Sequence, residues 1–221
     1  DSSTSRGLGD VYKRQHLRVG LTDAQMRPLR GKEIAYIPQE PMSNLDPSYK
    51  VGAQLVEGVR SALGVTRAEA TARVLALLER VGIADPKRTF DSYPHQISGG
   101  MAQRVLIAGA VASRPKLLIA DEPTTALDVT VQAEILDLLR DLQSELDMAI
   151  LLVTHNFGVV ADLCDRIAVM QNGVIVESGT AAEVFAHPTH EYTKMLLGAI
   201  LDESTVLSLI HISEPTRRRG I

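Results

Sequence analysis

The stretch Leu117-Leu118-Ile119-Ala120-Asp121-Glu122-Pro123 runs four apolar residues straight into two adjacent carboxylates. A short unbroken apolar run predicts a strand buried on both faces, the kind found in parallel α/β sheets. Asp121 and Glu122 then sit at the carboxyl edge of that sheet, where open α/β folds place their ligands. Two charges side by side in such a place are costly without a compensating cation. The residues point to a metal on one acid and a reacting water near the other.

Three further stretches extend this picture. Ser98-Gly99-Gly100-Met101-Ala102-Gln103-Arg104 opens an apolar helix that runs to about Ala112. Ser98 suits the N-cap, and the two glycines let a ligand approach the backbone. The free N–H groups of that first turn and the helix dipole favour an anion. Ala149-Ile150-Leu151-Leu152-Val153-Thr154-His155 predicts a second buried strand ending in polar groups. Ile37-Pro38-Gln39-Glu40-Pro41 places a glutamine in a proline-bounded loop after a strand starting near Glu33.

In order and spacing, over roughly residues 16–201, these stretches resemble the ATP-binding subunit of an ABC transporter. Gln39 matches the Q-loop, Ile97 to Met101 the signature motif and Leu117 to Glu122 the Walker B strand. Ala126-Leu127-Asp128 matches the D-loop, and His155 the switch histidine. The finer wording resembles the peptide-import branch. It includes Pro41-Met42-Ser43-Asn44-Leu45-Asp46-Pro47, Gly100-Met101 where many relatives have Gly-Gln, and His187-Pro188-Thr189-His190-Glu191-Tyr192-Thr193.

The resemblance implies an α/β P-loop NTPase-like ABC ATPase core: a mostly parallel sheet, a helical subdomain, and the N-terminal part missing. It implies ATP and Mg²⁺ as cofactors. Asp121 and Gln39 would attend the metal, Glu122 would be the general base, and His155 would contact the γ-phosphate. Ser98, Gly99, Gly100 and Met101 would bind the γ-phosphate of ATP held by an opposing subunit, and Asp128 would couple the two sites. The implied partners are a second ATPase subunit (identical or not), transmembrane permease subunits and, indirectly, a solute-binding protein. The implied place is the cytoplasmic face of the inner membrane, bound peripherally. Taken singly, the residues allow plainer roles. Asp121 could cap a loop, Glu122 could form a surface ion pair, His155 could be structural, and Asp128 could be the N-cap of the next helix.

One family motif is not found. A P-loop reads G-x-x-x-x-G-K-[ST], because its backbone cradles phosphates while its Lys and hydroxyl meet the phosphate oxygens and Mg²⁺. Gly31-Lys32 is followed by Glu33, and Met26 stands where the first Gly belongs, so a turn before a strand is expected there. The resemblance places residue 16 downstream of a P-loop, so the 221-residue chain by itself is expected to be inactive. Residues 1–15 and 207–221 resemble translated sequencing-adapter text, notably Tyr12-Lys13-Arg14-Gln15 and Leu209 to Arg217. They are treated as a non-native leader and tail around a partial domain of residues 16–206.

Composition is consistent with this. The 221 residues suit one α/β domain with a subdomain, and a 45% hydrophobic share supports a packed core. A net charge of −4 argues against a nucleic-acid surface. No apolar run approaches the roughly 18 residues of a membrane span. The single cysteine, Cys164, suits a reducing compartment and is expected to be a buried thiol. The histidines His16, His95, His187, His190 and His211 share no metal-ligand spacing; His95 is expected on the subdomain surface and the others in solvent.

Between the motifs, Val51, Leu55, Val59 and Leu63 recur at helical spacing, and Thr66 with Glu69 forms a capping box. The second helix breaks near Gly82 and Pro86, so residues 48–114 read as a compact helical subdomain. Helices are expected over 129–146, 157–163 and 191–201, and Thr180 with Glu183 caps another. The strand 166–170 turns at Asn172-Gly173 into Val174 to Glu177. An ABC-type ATPase of DNA repair would carry a long coiled coil between Gln39 and Ser98. Those residues lie only 59 positions apart, without sustained heptads. A translation factor would carry two cassettes.

Overall fold

The computed structural model describes residues 22–203 apart from Ala126, and the side chains of 199–203 lie outside the description. The expected leader and tail, His16 and His211 therefore fall outside the described residues. The chain divides into two compact units between His155 and Asn156.

Among its described residues, the first unit opens with a short helix α1 (Asp23–Met26) and strand β1 (Ile34–Ile37). Helices α2 (Val51–Leu63), α3 (Arg67–Arg80), α4 (Pro86–Asp91) and α5 (Gly99–Val111) follow, then β2 (Leu117–Asp121), α6 (Val129–Leu146) and β3 (Ala149–Val153). The strands form one parallel sheet in the order β1-β2-β3. Helical connections between parallel strands are what the alternating pattern predicts.

Local chemistry explains the helix limits. Thr66 accepts from the Glu69 N–H while the Glu69 carboxylate accepts from the Thr66 N–H, closing the expected box. Gly31 turns at φ 72° before β1, as expected for Gly31-Lys32. Helix α4 sits where only a break was expected. Asp85 caps it by accepting from the Arg88 N–H at 2.9 Å, and Pro86 takes the first helical position. An Asp-Pro pair is a helix start as well as a breaker.

The core packs one side of the sheet. Ala35, Ile37, Leu118 and Ala120 join Val105, Ile107 and Ala108 of α5 and Ile135, Leu139 and Leu142 of α6 in one buried cluster. Leu55 and Val59 of α2 and Val74 and Leu78 of α3 belong to it too. The expectation that β2 is buried on both faces is corrected. In the register, Tyr36 stands beside Ile119, Ile119 beside Leu151, and Asp121 beside Val153. On that side Tyr36, Leu151 and Val153 remain 55%, 49% and 48% exposed. The helices described supply apolar partners to one side only, so β2 reads as alternating half-buried and buried residues.

The second unit holds α7 (Phe157–Leu163), an antiparallel hairpin of β4 (Arg166–Gln171) and β5 (Val174–Thr180), α8 (Ala181–Ala186) and α9 (Glu191–Glu203). Asn172 and Gly173 turn the hairpin with φ of 51° and 79°, the left-handed pair that a two-residue loop needs. Cys164 is half-buried, short of the full burial expected, and burial pushes its thiol pKa up. His95 is exposed, as expected, and its ring stacks on Tyr93. His187 is exposed too. His190 corrects the expectation of a solvated side chain: its ring Nδ1 accepts from the Tyr192 N–H and its own N–H donates to Glu177.

Candidate functional site

Strand β2 delivers Asp121 and Glu122 to the carboxyl edge of the sheet, and the chain bends sharply there. Glu122 takes φ 44°, a left-handed value unusual for a residue with a side chain. Its N–H donates to the Val153 carbonyl at 2.8 Å, tying the bend to β3. Pro123 then occupies the second position of a turn closed by the Thr125 N–H donating to the Glu122 carbonyl at 3.1 Å. That turn brings the Thr125 side chain back over Glu122.

The Glu122 carboxylate collects three donors from three segments. Gln39 Nε2 donates to Oε2 at 2.8 Å, and Thr125 Oγ1 donates to the same oxygen at 2.7 Å. His155 Nδ1 lies 2.8 Å from Oε1. An ionised carboxylate can only accept, so the proton of that bond sits on Nδ1 and Nε2 is left for another partner. The Thr125 hydroxyl first, then His155, with Gln39 adding, hold the Glu122 carboxyl below the usual range against the opposing effect of burial. The Glu122 side chain is 21% exposed and that of His155 76%, so the ring faces solvent on the histidine side.

Asp121 has a separate partner. The Tyr36 hydroxyl donates to its Oδ2 at 2.9 Å. Strand β1 and its loop thus touch both acids, through Tyr36 and Gln39. The oxygens of Asp121 and the Gln39 amide oxygen, which remains free of the bond to Glu122, are the hard donors that Mg²⁺ takes. One or two carboxylates suffice for that ion, which keeps several waters and phosphate oxygens.

Ser98 caps α5, its hydroxyl accepting from the Met101 N–H at 3.3 Å. Asp128 caps α6, accepting from the Val131 N–H at 3.0 Å. The capping role open to Asp128 from sequence is therefore realised. Among the described residues, no hydrogen bond joins Ser98, Gly99, Gly100, Met101 or Asp128 to Glu122 or to its three donors. Gln39, Glu122 and His155 are drawn together. Two members of the site escaped the sequence reading. Thr125 carried a signal, the Glu-Pro start of a turn, whereas Tyr36 could be found only through the strand register.

A parallel sheet with an acid pair at its carboxyl edge and helices packed on one side is an α/β arrangement of the kind that takes ligands at that edge. Residues 9–125, just over half of the chain, match the family model described as ABC transporter, and the chain belongs to that family. It is 48% identical over 192 residues to a probable peptide ABC transporter ATP-binding protein, y4tR, of Sinorhizobium fredii, covering 87% of this chain and 57% of that one. It is 50% identical over 182 residues to the oligopeptide transport ATP-binding protein OppD of Bacillus subtilis, covering 82% and 51%. The chain thus spans little more than half the length of these relatives. Among solved structures, the dimeric ATP-binding cassette MJ0796 bound to ADP and Pi is similar at TM-score 0.65 and 27% identity, covering 73% of this chain and 68% of that one.

Proposed function

We propose that this chain is part of an ATP-binding and hydrolysing subunit that energises an ABC importer of peptides or similar small solutes. The observation that carries the reading is the Glu122 carboxylate, held by Gln39, Thr125 and His155 beside Asp121 at the sheet edge. The relatives named for peptide and oligopeptide transport support the cargo class.

In this reading Asp121 and Gln39 hold Mg²⁺. When bound, the ion neutralises phosphate charge and orients the γ-phosphate. Glu122 takes a proton from a water as that water's oxygen bonds to the γ-phosphorus and the β–γ bridging oxygen leaves with ADP. Phosphoryl transfer asks little beyond such placement and charge stabilisation. His155 carries on Nδ1 the proton it gives to Glu122, and that N–H is the donor it can turn to the γ-phosphate. Gln39 and His155 let go of Glu122 as they turn to the nucleotide, which removes two of the contacts that depress its basicity. Ser98, Gly99, Gly100 and Met101 supply a capped helix start to ATP held by a second copy or a related subunit, and Asp128 meets the same interface.

The helical segment between β1 and β2 serves as a subdomain that follows the permease, with the protein peripheral at the cytoplasmic membrane face. Among the described residues, no helix is long and apolar enough to cross a membrane. The 221 residues hold no G-x-x-x-x-G-K-[ST] run, so by themselves they turn over no ATP. The test uses the complete gene product. Glu122→Gln should lower ATP turnover about 10²-fold or more, on the scale of losing a general base. Unchanged turnover would remove Glu122 from the chemistry.

A further inference from the structure

Arg104 lies on α5, six residues after its cap, and makes two bonds that the reaction scheme does not use. Its NH1 donates to the Val81 carbonyl at 2.6 Å, and its NH2 meets Glu134 Oε2 of α6 at 2.5 Å. Val81 is the C-cap of α3, where helix carbonyls otherwise lack partners. The Arg104 side chain is 16% exposed, the most enclosed of the described Lys and Arg side chains in ion pairs.

The same helix face repeats the contact one turn earlier. Gly100 and Arg104, four residues apart, share one side of α5. A Cβ built on Gly100 would stand 3.2 Å from Val131 Cγ1 of α6. Val131 and Glu134, three apart, share one side of α6. Two contacts in register therefore tie the start of α5 to the start of α6. Gly82 leaves room for the guanidinium: a Cβ there would lie 2.9 Å from Arg104 NH1, and its φ of 80° is itself unsuited to a side chain.

We propose that Arg104 is a positioning residue that locks the first turns of α5 and α6 together, with the end of α3 as its third anchor. Its value to the reaction rests on the reading that these two helix starts face one nucleotide. Held as one body, Ser98 and Asp128 would approach the partner's site together. A fork of two donors does this, because each reaches a different element.

The lock can be read without nucleotide, so failure of the ATP reading would leave its outcome standing. Amide hydrogen exchange is measured on the 221-residue chain and three variants. Glu134→Ala removes one exposed anchor, Arg104→Lys removes the fork, and Glu145→Ala breaks the Arg80–Glu145 pair near the far end of α6 as a control. Glu134→Ala should speed exchange at Met101, Ala102 and Gln103 about tenfold while the buried Leu139 amide keeps its rate. Arg104→Lys should give at least the same acceleration, since an ammonium cannot reproduce the planar fork. Glu145→Ala should leave residues 101–103 unchanged. The proposal is overturned if those amides keep their wild-type rates in Glu134→Ala, if Arg104→Lys restores protection, or if the control accelerates them equally.

Discussion

Replacing Thr125 by valine keeps the shape of the side chain and removes the hydroxyl that donates to Glu122 Oε2 at 2.7 Å. A hydrogen bond to a charged group contributes roughly 1.5–3 kcal/mol. Here the carboxylate retains Gln39 and His155 and is 21% exposed, so the loss should fall at the low end, about 1–1.5 kcal/mol. For a unit of this size that is a fall in Tm of about 3–5 °C. The sign with pH follows from linkage. The folded pKa of Glu122 lies below its ordinary 4.5, so this stabilisation is present above 4.5 and is lost as pH falls through the folded value. Urea unfolding of wild type and Thr125→Val, run at pH 7 and stepwise into acid, should show a gap that closes as Glu122 protonates. Thr125→Ser should keep most of the wild-type stability at pH 7. An equal gap at pH 7 and in acid would refute the reasoning, because the effect would then come from packing and not from the hydroxyl–carboxylate bond.

Gly82→Ala should cost about 1–3 kcal/mol in chemical unfolding, since it strains a φ of 80° and crowds Arg104. In the second unit, the Glu177 carboxyl is lowered to about 2, by the Thr193 hydroxyl first and then by the Thr189 N–H and hydroxyl and the His190 N–H. Thr193 Oγ1 itself is buried without a bond of ordinary geometry, so the amides of Thr189 and His190, at 2.7 and 3.1 Å, are the contacts to follow. The stabilisation is full above pH 4.5 and is lost as pH falls towards 2. The Thr189 and His190 amide resonances should therefore move in that window in wild type and stay flat in Glu177→Gln.

Much of this structure was legible because its signals are local. The apolar stripe from Val131 to Leu146 marks the whole of α6, and Asp128 before it marks the start. Thr66 with Glu69, Thr180 with Glu183 and Asn172-Gly173 each fix a boundary through short-range bonds. Gln39, Glu122 and His155 could be grouped before their contacts were known only through the order of motifs that resembles an ABC ATPase; the apolar runs by themselves placed each at or just after a strand.

What stayed hidden depends on register and on distant partners. Tyr36 and Asp121 are 85 residues apart and meet only because β1 pairs with β2 in a particular alignment. An alternation of buried and half-buried residues in β2 cannot be read from four apolar letters; it follows from which side the helices cover. Arg104 in the sequence is one more charge on an apolar helix, and its partners Val81 and Glu134 come from two other helices. Glu177 reads as an ordinary strand residue until Thr189 and His190 fold back to it.

The most direct measurement is the mass in solution of the complete gene product carrying Glu122→Gln, by light scattering with and without Mg-ATP. Two copies clasping nucleotide between the acids of one and the Ser98 helix start of the other should double the mass on adding ATP, and Ser98→Arg should abolish the doubling. A mass that stays the same with and without ATP, both for this subunit alone and when mixed with the related subunit encoded beside it, would contradict the account.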